Sequence, residues 1–169
     1  MTISMYSASV PVLKQMLHSL DAILTKAENH AKEKKIEPAA LLQARLFPDM
    51  FPFVRQIQIA SDNAKGIAAR LAGVDVPSFP DTEQSFEELH ARLAKTIAFL
   101  ETVKPAQFEG SEERDIVVYK GTPWEMKFKG QTYLVNFGLP NFFFHVTTAY
   151  ALLRHNGVDV GKDDFIGKF

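Results

Sequence analysis

No cysteine occurs among the 169 residues. That excludes disulfides, thiolate metal sites and a cysteine nucleophile, so any thiol chemistry needs an external thiol. An excess of charge of one sign is also missing, since 19 basic side chains face 20 acidic ones for a formal net charge of −1. A balanced chain offers no concentrated basic face for nucleic-acid phosphates. Apolar runs are short, and none approaches the roughly 20 residues that span a bilayer. Met1 to Val12 lacks the basic start and apolar stretch of a signal peptide. The reading is a cytoplasmic protein with neither nucleic acid nor membrane as a partner. No Gly-rich phosphate loop is present, and no Ser/His/Asp arrangement follows from spacing. Glu87-Glu88, Glu112-Glu113 and Asp163-Asp164 read as solvated pairs, not acid–base dyads.

What is present is apolar side chains at helical spacing. Hydrophobic residues make up 46% of the chain, enough for a sizeable core, and residues 1–169 read as one domain. Leu13, Met16, Leu17, Leu20, Ile23, Leu24, Ala27 and Ala31 recur at three- and four-residue steps, predicting a first helix over 4–34 with one buried face. Its start is open between Ser4 as a cap and Pro11 as the first turn. The run Lys32 to Lys35 reads as a solvated, dipole-compensating terminus. Glu37-Pro38 and Ala39 to Ala44 suggest a short crossing segment before a turn at Phe47-Pro48. A second helix over 49–72 carries Phe53, Ile57, Ala60, Ala64, Ile67 and Leu71, with Asp49 as its cap and Gly73 as its stop.

Val74 to Pro80 holds two prolines and reads as a loop long enough for a crossover. The third helix is predicted over 82–103, with Thr82 as a cap, a capping box at Ser85 to Glu88, and an apolar face of Phe86, Leu89, Leu93, Ile97 and Leu100. His18 is left outside any site, and His90 and Asp62 read as exposed polar residues. The period then changes. Ile116 to Tyr119 and the alternating Trp124, Met126 and Phe128 predict a hairpin through Gly121-Thr122-Pro123, with the Trp124 face on the helices. Thr132 to Phe137 fits either state; a helical lead-in bending at Gly138 is preferred. The last helix, 139–156, has Pro140 in its first turn and Gly157 after its end. Asn141 and His145 lie one turn apart on one face, beside an apolar stripe of Phe142, Val146, Ala149 and Leu153. In the tail, Phe165, Ile166 and Phe169 are expected to pack back on the bundle.

The Asn141-x3-His145 pair followed by Tyr150-Ala-Leu-Leu-Arg-His-Asn-Gly-Val, the Asp49 to Phe53 segment, and Gln56 to Arg70 resemble the DinB-like superfamily. The resemblance covers nearly the whole chain and is to a domain-of-unknown-function branch. It implies an all-α, four-helix bundle with a crossover connection, and the hairpin is then an insertion between helices three and four. In metal-binding members, a histidine of helix two and two histidines at i and i+4 on the last helix hold a divalent ion. Carried over, those positions are Gln56, Asn141 and His145, so two of three imidazoles are missing and His145 is the only surviving candidate ligand. Amides bind transition metals far more weakly than imidazole. The resemblance therefore implies a degenerate metal site and no cofactor, with a divalent metal as the alternative. The same three residues are the candidate ligand-binding set for an unknown small molecule, within a pocket walled by Tyr133, Phe142, Phe143 and Trp124. A satisfied internal hydrogen-bond network is the plainer reading of them. The alternative functions are a metal- or thiol-dependent transferase or hydrolase-like enzyme and a purely structural dimerisation module. Fourteen phenylalanines and the superfamily's habit of pairing bundles lead to the expectation of a homodimer.

Overall fold

Prolines and left-handed residues punctuate the helices, and the computed structural model, which describes residues 3–168, shows where each acts. Helix α1 spans Val10–Lys34, with Pro11 in its first turn and Lys35 just past its end at φ 56°. The Ile36 N–H returns to Ala31 O at 2.9 Å, the closing bond of a left-handed cap. Ser4 caps a separate turn ahead of α1 by accepting from Ser7 N–H at 3.1 Å. The helix expected from residue 4 is therefore interrupted: Ser9, at φ −124° and ψ −73°, leaves helical geometry. A short α2, Pro38–Leu42, buries Leu41 and Leu42.

Helix α3, Phe53–Ala72, starts later than the predicted residue 49, because extended Pro52 stands at its cap and Asp49 lies in the preceding turn. Gly73, at φ 73°, ends it. Helix α4, Phe86–Thr102, likewise starts after the predicted residue 82. Ser85 Oγ accepts from Glu88 N–H at 3.2 Å, while the Glu88 carboxylate accepts from Gln84 N–H at 2.6 Å. That is a capping box with its return bond shifted by one residue.

Strands β1, Asp115–Val118, and β2, Met126–Lys129, pair antiparallel with Ile116 opposite Phe128 and Val118 opposite Met126. Ile116 and Val118 are buried, but Trp124 is 73% exposed. The expectation for Trp124 fails because β2 begins only at Met126. Trp124 belongs to the overhanging Tyr119–Glu125 connection, not to the alternating face. After β2 the chain is helical without a break: a turn at Gly130–Thr132 (α5), a wider π-helical turn at Tyr133–Gly138, then α6, Leu139–His155. The helical lead-in is therefore real. Gly138 lets it lie against α3, since a Cβ there would come within 2.9 Å of Ile67 Cγ1. Gly157 follows at φ 84° with Val158 N–H on Leu153 O at 3.0 Å. Helix α7, Lys162–Ile166, packs on α1; Phe165 meets Tyr150 edge-on at 5.7 Å, and Gln15 donates to Ile166 O at 2.9 Å. Phe169 lies outside the described residues.

The four long helices form a ring in the order α1, α4, α3, α6, with α1 opposite α3 and α4 opposite α6. Two links therefore cross the bundle: the α2 segment, and the stretch carrying the hairpin. Val74–Pro80 only joins neighbours. Leu13, Leu17, Leu20, Ile57, Ile67, Leu89, Leu93, Phe142 and Leu153 are at most 1% exposed and fill the space between the helices. Among the described residues, no helix is long and apolar enough to cross a membrane.

Candidate functional site

Where α3 and α6 run side by side, their polar residues face each other beneath the edge of the hairpin. Gln56 is buried on the first turns of α3, and His145 is buried on the middle of α6. Gln56 Nε2 donates to Phe51 O at 3.1 Å, which leaves its Oε1 as an acceptor. His145 Nδ1 lies 2.7 Å from that oxygen and is therefore the protonated ring nitrogen, with the lone pair on Nε2. Burial, reinforced by the positive charge of Arg55, pulls the His145 pKa down to about 4. The imidazole is thus neutral across the physiological range.

Asn141 sits one turn before His145, but its Nδ2 donates to Phe137 O at 2.8 Å, tying α6 to the π-helical turn. The structure therefore joins Gln56 to His145 directly. Asn141 shares the same cleft without bonding to either. That cleft has a volume of about 360 Å³. Arg55, Ile59, Asn63 and Arg70 of α3 form one wall, and Phe137, Asn141 and His145 form the other. Tyr119 leans in from the hairpin end with φ 52°, a conformation that disfavours bulky side chains. Tyr133 closes the far end; burial raises its pKa, an effect partly offset by Arg70, whose Nη1 lies 3.2 Å from the hydroxyl.

The aromatic wall differs from the one expected. Of Tyr133, Phe142, Phe143 and Trp124, only Tyr133 lines the cleft; Phe142 is fully in the core and Trp124 is in solvent. Phe51, Tyr119 and Phe137 take their places. The sequence reading also missed a cluster of charges behind the cleft. Arg92, 3% exposed, reaches Asp62 at 2.8 Å, Asp81 at 2.9 Å and Glu83 at 2.9 Å, and Lys65 holds Asp62 at 2.8 Å. Asp62 is therefore engaged in ion pairs, not merely solvated. The available signal was Arg92 between the buried Leu89, Leu93 and Thr96, on the inner stripe of α4. His90 is also half-buried, with Nδ1 2.5 Å from Asp21 Oδ1 across the α1–α4 seam.

The metal triad implied by the resemblance does not fit these residues. Its donor set here is one imidazole and two amides. Both ends of the Gln56 amide and the Asn141 Nδ2 are already engaged in hydrogen bonds. Among the described residues, no three His, Cys, Asp or Glu side chains are grouped to hold a metal ion.

Residues 5–166 match a protein family described as "Domain of unknown function (DUF1993)". The chain is also similar to a crystal structure of a DinB family member protein from Shewanella denitrificans, with 38% identity and a TM-score of 0.91. The likeness covers 97% of this chain and 92% of that one. None of the curated proteins matches.

Proposed function

From the premise that this chain belongs to the DUF1993 family, a branch of the DinB-like bundles, we propose that it is a small-molecule-binding bundle whose site is the α3–α6 cleft. The observation that carries this reading is the cleft itself: about 360 Å³, walled by aromatic rings and by converging polar groups of Arg55, Asn141 and His145. A concave, mostly preformed space with a few oriented polar groups is the ordinary form of a ligand site. The Gln56–His145 bond supports it by holding the imidazole in one tautomer, with Nε2 left as an acceptor. A neutral, oriented imidazole is suited to receiving a hydrogen bond from a ligand.

Fragment screening by NMR on the whole chain tests the proposal, using a mixed set of acidic, neutral and basic fragments. Binders should shift Ile59, Phe137 and His145, and Ile59→Trp, which fills the cleft, should abolish those shifts with the fold unchanged. Absence of any binder at these residues would overturn the reading. So would stoichiometric divalent metal on the purified protein that is lost in His145→Ala, an outcome that would restore the metal-dependent enzyme as the better account.

A further inference from the structure

One cation on the cleft wall has no carboxylate to match it. Arg55 pairs with Asp81, Arg92 is shared among Asp62, Asp81 and Glu83, and Lys65 holds Asp62. Asp62 also lines the cleft, but two cations already claim its carboxylate. Among the described residues Arg70 makes no ion pair, and its side chain has one polar partner, the Tyr133 hydroxyl at 3.2 Å. Arg70 stands in the last turn of α3, where the helix dipole favours a cation that reaches into water. Its guanidinium instead turns back along the helix and lies over Gly66. The three atoms nearest a Cβ added at Gly66 all belong to that guanidinium, so the glycine is the notch that receives it.

Around this end of the cleft, the Tyr133 ring lies with its centroid 6.0 Å from Arg70 Cζ, and Val118, Tyr119 and Phe137 complete the wall. The Gln56–His145 pair is ten residues back along α3 from Gly66, where the guanidinium lies, roughly 15 Å away at the rise of a helix. Tyr119 and Tyr133 bring hydroxyls and no carboxylate to this part of the wall, and burial raises the Tyr133 pKa. We infer that the Arg70 end of the cleft takes the carboxylate of a small molecule with a flat apolar body. Arg70 supplies a planar fork that matches a carboxylate in charge and geometry. Tyr119 and Phe137 supply ring faces for the body, while the buried Tyr133 ring lies beside the guanidinium and holds it in place. A single unmatched cation suits a monoanion; a phosphate dianion would need a second free cation, and Arg55 is already paired. The inference rests on the cleft being a ligand site and adds the class of ligand.

Titration of the whole chain with benzoate, benzamide and phenyl phosphate, followed by NMR, tests it. Benzoate should shift Tyr133 and Phe137 and bind roughly tenfold or more tightly than benzamide, the loss of affinity expected when a charged hydrogen bond becomes neutral. Arg70→Gln should erase that preference. Gly66→Ala keeps every charge and favours the helix, yet displaces the guanidinium; it should raise the melting temperature while weakening benzoate binding, a combination no purely structural role for Arg70 produces. Benzamide binding as well as benzoate, or Gly66→Ala leaving benzoate affinity unchanged, overturns the carboxylate inference while the cleft remains a ligand site. Phenyl phosphate binding in place of benzoate overturns the monoanion. If none of the three binds, the inference fails, and the mixed fragment screen decides separately whether the cleft binds anything.

Discussion

His145 and Gln56 depend on each other, because each satisfies a buried polar atom of the other at 2.7 Å. His145→Ala leaves Gln56 Oε1 without its donor and should lower stability by about 1–3 kcal/mol, read from urea unfolding. A double-mutant cycle with Gln56→Ala should show coupling, since the two changes remove the same bond. The same imidazole sets a pH dependence. Its folded pKa of about 4 lies below its unfolded value near 6.5, so the unfolded chain takes up a proton that the folded one refuses. The stability it contributes is complete above pH 6.5 and is lost as the pH falls from 6.5 through 4. The slope should reach at most about 1.4 kcal/mol per pH unit. Urea midpoints from pH 7 to pH 4 should fall more steeply for the wild type than for His145→Gln; equal slopes would contradict the depressed pKa.

At the level of elements, the Pro77 to Ser85 connection is tied to the helices by charge, not by apolar packing. Arg92 bridges Asp62 on α3 to Asp81 and Glu83 in the connection, while Lys65 donates to Pro77 O at 2.8 Å. Arg92→Ala leaves Glu83 without a cation, while Asp62 keeps Lys65 and Asp81 keeps Arg55, and should cost about 1–3 kcal/mol, seen as a lowered melting temperature. The start of the helical run after β2 rests on a close backbone approach. A Cβ at Gly130 would meet the Ser111 carbonyl, which is backbone and cannot turn aside. Gly130→Ala should therefore destabilise by about 1–3 kcal/mol despite its better helix propensity. Amide exchange should quicken first in Ile116 to Phe128, the hairpin that this turn anchors. A stabilising Gly130→Ala would show that the contact relaxes freely.

For the whole molecule, a homodimer is checked by light scattering over a wide concentration range. The expected mass is twice 19.0 kDa; a constant 19.0 kDa would leave a single bundle. What the amino-acid order determined by itself was local. Three- and four-residue apolar spacing marked the four long helices, Gly73 and Gly157 marked two of their ends, and alternation around Met126 and Phe128 marked the hairpin. Helix geometry also placed Asn141 and His145 on one face. Each of these follows from neighbours a few residues apart, where backbone geometry leaves little choice. The tertiary structure alone decided that Asn141 turns to Phe137 O while Gln56 turns to His145, that Trp124 overhangs into solvent, and that Arg92 lies buried among carboxylates. It also decided that Arg70 folds into the Gly66 notch. Partners such as Gln56 and His145 are 89 residues apart in the chain. Only the packing of α3 on α6 brings them within hydrogen-bond reach and removes the water that would otherwise satisfy them.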